Sequence, residues 1–269
     1  MLKDITFGQY FPTDSVVHKM DPRTKILLLM GFIVFTFVCN NFFSLIFLAL
    51  SVIAVISATK IPFVIYLKNF KAILPVVIFA TVLNMFYVKT GHVLVDWWIL
   101  TITVDGILRA AFMTLRVVLL IMLSAVFSYT TTPTSITNAL ESLLKPLKYL
   151  KLESAVHVFS MAMTITLRFI PTLIEETEKI MNAQKARGAD VESGNLLKRA
   201  KALIPILIPL FISSIHHAYD LAESMECRCY VGGAGRTKYN KTRYSRVDAL
   251  GGVCYLLICG VIILLNILF

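Results

Sequence analysis

The chain has little charge for its length, and most of that charge has one sign. Only 16% of the 269 residues are charged, whereas 57% are hydrophobic. A typical soluble domain is about 45–50% apolar and about 25% charged, so lipid is the expected surrounding for much of this chain. Lys and Arg number 26 against 16 Asp and Glu. Because these charges lie mostly outside the apolar runs, we expect them to face membrane lipids and not nucleic acid.

The usual signatures of a catalytic site are also missing. The sequence contains no G-x-x-x-x-G-K-[ST] phosphate loop, no H-E-x-x-H zinc motif and no G-x-S-x-G nucleophile motif. The glycine-rich segment 232–235 follows no strand pattern and is flanked by basic residues, which is typical of a linker. We therefore expect no catalytic residue in this chain.

Cysteine is scarce, with five residues, and their placement indicates no disulfide framework. Three lie in apolar runs, and Cys227 and Cys229 lie in a basic segment. This C-x-C pair could begin a zinc site with His216 and His217 upstream. Structural zinc sites usually have C-x₂₋₄-C spacing and a second matching pair, so we expect no metal ligands here.

Long apolar runs are what the sequence has in abundance. Residues 26–59 contain no charge, and as one helix they would extend about 51 Å against a hydrocarbon core of about 30 Å. The run must therefore turn, and Asn40-Asn41 is its strongest polar interruption. Two membrane spans are predicted, over about 24–40 and 42–59.

Three further apolar runs predict spans over 72–88, 106–129 and 249–269. Adjacent Trp97 and Trp98 favour an interfacial position for the segment between the third and fourth spans. Basic residues collect before the first span and between the second and third, whereas the first turn has none. The positive-inside bias therefore predicts a cytoplasmic N-terminus and, with five spans, an external C-terminus.

Charge is concentrated between residues 132 and 246, where 16 of the 26 basic and 10 of the 16 acidic residues fall. Helical apolar periodicity continues through this region. The predicted fold is an all-α integral membrane protein with about five transmembrane helices plus long cytoplasmic amphipathic helices. Its predicted parts are the N-terminal spans 1–131, the cytoplasmic region 132–246 and the C-terminal span 247–269.

Three helices are predicted in the charged region. The first begins with Thr132 as N-cap and Pro133 as first helical residue. The second has an apolar stripe from Ile170 to Gln184 opposite charged residues, and the third contains the uncharged run 202–219.

Residues 155–167 and 202–219 could instead be spans six and seven. The connection 168–201 would then lie outside the cell with seven basic residues, against the positive-inside bias, so cytoplasmic helices are preferred.

Arg109 and Arg116 lie seven residues apart, on one face of the predicted fourth span. A charge within a span is a functional candidate. Snorkelling toward water, or pairing with Asp105, explains these arginines equally well. The sequence leaves both interpretations open.

Two of the predicted cytoplasmic helices end in a single arginine, Arg187 in Ala186-Arg187-Gly188 and Arg228 in Cys227-Arg228-Cys229. The negative end of a helix dipole holds a cation well, and a glycine permits a left-handed cap. A planar guanidinium with five donors suits a partner's carboxylates or carbonyls. Ordinary capping cations exposed to water would give the same pattern.

Four motifs together resemble the transmembrane T components of energy-coupling factor (ECF) transporters, a branch of the ATP-binding-cassette (ABC) importers for vitamins and transition-metal ions. The first is G-x-Y-x-P-x-x-S-x-x-H-x-x-D-P-R-x-K at 8–25, and the second is L-R-F-I-P-T-L-x-E-E at 167–176. The others are the Ala-Arg-Gly at 186–188 and a second arginine motif about forty residues later. The resemblance covers essentially the whole chain.

The resemblance implies that two cytoplasmic coupling helices each dock an arginine motif into one of two ATPase subunits. By position, the implied ATPase contacts are Ala186, Arg187, Gly188, Cys227, Arg228 and Cys229. The family has Ala and Gly where this chain has Cys227 and Cys229, so a close backbone approach cannot be argued at the second motif.

The other implied partners are membrane lipids and a separate substrate-binding membrane subunit, the S component, which would pack on apolar helix faces. Its expected contacts are Ile136, Leu140, Leu143, Met163, Ile170 and Leu173. ATP and Mg²⁺ would be bound by the ATPase subunits. No cofactor of this chain and no nucleic acid are expected.

Two other classes remain as alternatives. A membrane-embedded enzyme acting on a phosphorylated lipid or isoprenoid could use Asp21 and Arg23, although a second acidic cluster for metal is missing from the sequence. An ordinary ABC permease would need a polar translocation path and a coupling loop of the E-A-A-x₃-G type, and the sequence shows neither.

Overall fold

The computed structural model describes residues 10–87, 93–97, 100–145, 153–189, 196–232 and 244–268. Helices make up most of these residues, in keeping with the all-α prediction, and a small antiparallel hairpin is added to them. In chain order the elements are α1 (Pro22–Val38), α2 (Phe42–Ala58), α3 (Phe63–Tyr87), β1 (Val93–Trp97), β2 (Leu100–Thr103), α4 (Val104–Thr130), α5 (Pro133–Leu143), α6 (Glu153–Ala186), α7 (Leu196–Glu226) and α8 (Arg246–Leu268).

The chain divides into two compact units. One, called here the bundle unit, comprises 8–139 and 241–269 and contains α1 to α4 and α8. The other, called the helix-pair unit, comprises 1–7 and 140–240 and contains α6 and α7. The boundary falls within α5, whose last four residues belong to the helix-pair unit.

Helices α1, α2, α4 and α8 occupy four of the predicted spans, with boundaries that differ by at most three residues from the predicted ones. The predicted turn at Asn40-Asn41 is confirmed, because α1 ends at Val38 and α2 begins at Phe42. The third span is part of a longer helix, since α3 begins at Phe63, nine residues before its predicted start. Charged residues mark where a lipid-facing stretch begins, but they do not mark where the helix begins. The lysines that precede this apolar run are themselves good helix formers, so the helix starts before it.

The segment predicted to be interfacial forms the two short strands. Trp97 lies in β1 opposite Leu100, and Trp98 lies outside the described residues. Helix α5 does begin at the predicted Pro133, and the hydroxyl of Thr132 accepts a hydrogen bond from the Ser135 amide at 3.4 Å.

Among the described residues, four helices are long and apolar enough to cross a membrane: Val104–Thr130, Ser154–Ala186, Lys201–Glu226 and Arg246–Leu268. The first and last are predicted spans, and α2 is a shorter apolar helix of 17 residues. The other two lie in α6 and α7, which the charge distribution assigns to the cytoplasmic side. Length and hydropathy therefore keep the seven-span alternative open, and only the basic connection between α6 and α7 argues against it.

Helix α4 lies at the centre of the bundle unit and packs against α1, α2 and α3, while α8 packs against α1 and α2. The core consists of large apolar side chains from these helices, among them Phe32, Leu45, Leu48, Val52, Leu119, Leu123 and Ile262. Gly31 allows α1 to approach α8, since a Cβ there would lie 2.1 Å from the Tyr255 hydroxyl. Many outward-facing residues are also apolar and exposed, as lipid contact requires.

One end of the bundle unit is fastened by residues of the N-terminal motif. Asp21 caps α1 by accepting the Arg23 amide at 2.9 Å, and its own amide donates to Oδ1 of Asp248, at the start of α8, at 2.7 Å. Lys25 is buried and donates to the carbonyl of Thr130 at 2.9 Å, which ties α1 to the end of α4. These motif residues therefore join three helix ends within the bundle unit.

His18 adds further contacts within the N-terminal motif at this end of the bundle unit. Its Nδ1 lies 2.7 Å from the Ser15 hydroxyl, and its Nε2 lies 3.0 Å from the carbonyl of Phe11. Burial lowers the pKa of His18, and the positive charge of Lys25 acts in the same direction. The neutral imidazole is therefore the form that this environment favours.

Arg116 has a structural role that the sequence left open. Its Nη2 donates to the carbonyl of Cys39 at 2.6 Å, and Cys39 is the C-cap of α1. The guanidinium also lies over the ring of Phe112, 4.9 Å from the centroid. Asn266 of α8 donates to the carbonyl of Val38 at 3.1 Å, so the turn after α1 is held from two helices.

Candidate functional site

The helix-pair unit consists of two long helices that run antiparallel. Gln184, near the end of α6, contacts Pro205, near the start of α7. Glu176 contacts Ser213 and His217 in the middle of the pair. Contacts thus step backward along α6 as they step forward along α7, and each predicted arginine motif lies at an opposite end of the pair.

Helix α6 ends in a left-handed cap at the first arginine motif. Gly188 has φ +85°, and the amide of Ala189 donates to the carbonyl of Gln184 at 3.0 Å. The amide of Arg187 lies 3.1 Å from the same carbonyl. This is the Schellman type of helix end, and it confirms the cap predicted from Gly188.

Helix α7 ends in the same way at the second motif. Cys229 has φ +55°, and the amides of Arg228 and Tyr230 both donate to the carbonyl of Met225 at 3.1 Å. Each residue has its counterpart 41 positions earlier, with Arg228 matching Arg187 and Cys229 matching Gly188.

The two cysteines at the second motif do not prevent the left-handed cap, whereas the expectation about close backbone approach stays a prediction. Cys229 adopts the left-handed conformation that Gly188 adopts at the first motif. A side chain in this region costs about 1–2 kcal/mol, and the two hydrogen bonds of the cap compensate for that cost. Residue type alone did not reveal the shared geometry.

All six predicted ATPase contacts are exposed: Ala186, Arg187, Gly188, Cys227, Arg228 and Cys229. Both guanidinium groups can therefore meet a partner at a helix end, where the unpaired carbonyls carry partial negative charge. At 1.5 Å per residue, the antiparallel contacts place the two arginines about 35–40 Å apart along the pair. One small partner surface cannot reach both motifs.

Each motif is tied to the opposite helix by one side chain. Pro209 has no amide hydrogen, so the carbonyl of Pro205 lacks its usual helical donor, and Nε2 of Gln184 lies 3.4 Å from it. At the other end, the Tyr230 hydroxyl donates to Sδ of Met161 at 2.9 Å. Gln184 and Tyr230 also take part in the two caps, so each cap is positioned against its neighbouring helix.

A cavity of about 410 Å³ adjoins the second motif. Its lining includes Met161 from α6, Met225 from α7, and the residues Arg228 to Gly232. Val231 is 93% exposed beside it.

The six predicted contacts to the S component divide between two helices and the two units. Ile136 lies in the bundle unit, Leu140 and Leu143 lie in the helix-pair unit, and all three belong to α5. The other three, Met163, Ile170 and Leu173, lie on α6 and are partly or fully exposed. Nothing in the two units taken separately tests whether these six residues form one surface, so they stay a prediction.

A larger exposed apolar set lies on α7, and the sequence reasoning did not select it. Its members recur at helical spacing: Leu203, Ile204, Leu207, Ile208, Phe211 and Ile212. The signal was present in the uncharged run 202–219, which was read as a possible span and not as a partner surface. Exposed apolar area of this extent needs lipid or protein to cover it.

The long apolar helices and their exposed apolar side chains indicate a multi-pass membrane protein. Comparison with known proteins agrees. The pattern of the CbiQ family, described as cobalt transport protein, matches residues 13–239. This class of protein is the transmembrane part of a transporter.

Relatives cover nearly the whole chain. It is 47% identical over 250 residues to "Energy-coupling factor transporter transmembrane protein EcfT" of Ruminiclostridium cellulolyticum, covering 93% of this chain and 92% of the relative. Proteins of the same name are 45% identical in Clostridium kluyveri, over 98% of this chain and 97% of the relative, and 42% identical in Bacillus subtilis, over 92% and 93%. The chain belongs to the EcfT/CbiQ family of ECF transporter transmembrane components.

Proposed function

We propose that this chain is the energy-coupling subunit that transmits ATP binding and hydrolysis by two partner ATPases to a separate substrate-binding membrane subunit. The carried substrate would be a vitamin or a transition-metal ion. Substrate specificity would reside in the S component. The relatives' printed names, which specify an energy-coupling factor transporter, support this proposal.

The duplicated cap carries the proposal. Two exposed arginines occupy identical positions in two identical helix ends, about 35–40 Å apart. A single capping cation has a purely structural explanation, but the same geometry repeated at both ends of one helix pair suits two similar partners. Each ATPase would then hold one arginine in a groove and carry one end of the pair with it.

The membrane topology follows from the same proposal. The motifs must face the compartment that contains ATP and Mg²⁺, so the N-terminus, α6 and α7 would lie on the cytoplasmic side of the cell membrane. This chain would bind no cofactor itself, since nucleotide and Mg²⁺ would be held by the ATPases. Apolar faces of α5, α6 and α7 would contact the S component and lipid.

Purification of the intact complex through this chain tests the proposal. We expect two ABC ATPase subunits and a small membrane subunit to co-purify with the wild-type chain and to hydrolyse ATP. The double variant Arg187→Glu and Arg228→Glu reverses charge at both motifs, so the ATPases should be lost while the chain still inserts into the membrane. Normal assembly and ATP hydrolysis with the double variant would refute the proposed contacts.

The two candidate residues of the lipid-enzyme alternative make structural contacts within the bundle unit. Asp21 caps α1, and Arg23 lies over the ring of Tyr244, 5.8 Å from the centroid. Turnover of a phosphorylated isoprenoid by the isolated chain would nevertheless favour an enzyme, and it is measured on the same preparation.

A further inference from the structure

A cluster of polar side chains joins α6 and α7 in the middle of the helix pair. Glu176 of α6 accepts a short hydrogen bond from the Ser213 hydroxyl and lies 3.4 Å from Nε2 of His217. Ser213 and His217 are four residues apart, so they lie one turn apart on the same face of α7. The ring of Phe169, two turns earlier in α6, lies 6.0 Å from the ring of His217.

This cluster distinguishes one alignment of the two helices from its neighbours. The residues one turn before Ser213 and one turn after His217 on this face are Leu210 and Leu221. If the helices slid by one turn, a leucine would replace Ser213, the hydrogen-bond donor to Glu176, for one direction of sliding, and His217, its close neighbour, for the other. Leaving a partly buried carboxylate without a hydrogen-bond donor is unfavourable.

Contacts between apolar side chains do not distinguish one alignment of the two helices from the next. Ridges of Leu, Ile and Met repack with little loss after a one-turn shift, which is how packed helices ratchet past one another in switching proteins. Pro171 in α6 and Pro209 in α7 also remove backbone hydrogen bonds close to the cluster. The polar cluster therefore holds the register of α6 and α7 at their least regular section, between the contacts of Gln184 and Tyr230 at the two ends of the pair.

We propose that Glu176 is a positioning residue that fixes the register of α6 against α7 through Ser213 and His217, so that the two arginine motifs keep one separation. This inference rests on the proposed function, since it makes the helix pair a rigid strut between two ATPases. A strut of fixed length converts relative movement of the two ATPases into movement of the whole pair. If α6 and α7 could slide past each other, movement of the ATPases would change the register of the two helices instead of moving the pair as a whole.

The spacing of the two ends tests this inference directly. Spin labels at Asn182→Cys and Glu223→Cys, both exposed positions, report the separation in a chain whose native cysteines are replaced. With Glu176 present we expect one separation, unchanged between nucleotide-free and ATP-bound complexes. Glu176→Ala should add a population displaced by up to about 5.4 Å, which is one helical turn. Glu176→Gln keeps the bond from Ser213 and should shift fewer molecules.

Glu175→Ala is the matched control, because the adjacent carboxylate is exposed and its loss changes the charge equally. Co-purification of the ATPases should be retained in both alanine variants, which separates loss of register from general unfolding. If Glu176→Ala gives too little protein, Ser213→Ala combined with His217→Leu removes the same contacts from α7. A single unshifted separation in these variants would overturn the inference.

Failure of the proposed function would look different. In that case the ATPases would not co-purify even with the wild-type chain, whereas the label separation, also measured on the chain alone, would still respond to Glu176→Ala.

Discussion

Arginine side chains differ in burial and in contacts between the two units. Arg116, in the middle of α4, is partly buried, donates from Nη2 to the carbonyl of Cys39 at the end of α1 and lies over an aromatic ring. Arg187 and Arg228 in the helix-pair unit are exposed beside carbonyls of their own helix ends. Each of the three guanidinium groups is thus associated with a helix C-terminus, but that of Arg116 contacts another helix of its own unit, whereas the other two are exposed to solvent.

The same contrast holds for the polar groups around them. The bundle unit joins its helix ends through buried groups such as Asp21, Lys25 and Asp248. The helix-pair unit keeps its ends exposed and places its clearest polar cluster at mid-length. Substitutions in the first set should therefore reduce stability, whereas charge reversal of the exposed arginines at the ends of the helix pair should reduce assembly. The following variants test this division.

The largest loss of stability is expected for Lys25→Ala. The change removes the donor to Thr130 and the positive charge beside Asp21 and Asp248, which are both buried. Breaking such a buried cluster from one side costs about 3 kcal/mol or more in the free energy of unfolding. Thermal unfolding in detergent measures it, with the exposed Lys179→Ala as control. Equal melting temperatures for the two variants would contradict the assigned role of the fastening.

Gly31→Val should be the next most destabilising change. The added side chain would clash with Tyr255, and overpacking of this kind costs about 1–3 kcal/mol. Gly260→Val in α8 serves as control, since a Cβ there meets no atom within 4 Å. The loss from Gly31→Val should be smaller in a Tyr255→Ala background, because this change removes both the hydroxyl and the ring carbon that the added Cβ would meet. An equal loss in both backgrounds would argue against this close approach of α1 and α8.

Smaller changes are expected at the two caps. Gly188→Ala places a side chain at φ +85° and should cost about 1 kcal/mol, whereas Cys229→Gly relieves the same strain and should gain a similar amount. Because both variants keep the arginines, ATPase co-purification should persist. Chemical denaturation of the purified chain gives the signs, and equal signs at the two positions would contradict the shared geometry.

The smallest effect is a pH dependence from His18. Its pKa is lowered in the folded chain, so the unfolded chain binds the proton more readily. Stability from this group is complete above pH of about 6.5 and declines as the pH falls through the folded pKa. The melting temperature of the wild type should therefore fall more between pH 7.5 and 5.5 than that of His18→Gln. Identical pH profiles of the two proteins would contradict a contribution of His18 to the contacts at these helix ends.

Much of the fold could be predicted because lipid imposes a simple rule on sequence. Uncharged runs gave α1, α2, α4 and α8 nearly to the residue, and Thr132-Pro133 gave the start of α5. The start of α3 was missed because lysines mark the edge of lipid and not the end of a helix. Whether α6 and α7 stay outside the membrane depends on charge placement alone, since their length and hydropathy suit a span.

Sequence reasoning selected the residues of the candidate site but did not predict their backbone geometry. Position and family resemblance selected Arg187 and Arg228, yet residue types suggested different backbones at Gly188 and Cys229. A left-handed cysteine has no sequence signal, because the cap depends on hydrogen bonds formed by the whole last turn. The cross-helix contacts of Gln184 and Glu176 depend on the antiparallel register of α6 and α7, which periodicity does not determine.

The number of ATPase subunits retained by single-arginine variants tests the central claim most directly. Native mass spectrometry of the purified complex should show two ATPase copies with the wild type and with the control Lys179→Glu. Arg187→Glu and Arg228→Glu should each retain one copy, and the double variant none. Two copies in both single variants, or the loss of both copies from either one, would contradict a chain that holds one ATPase at each helix end.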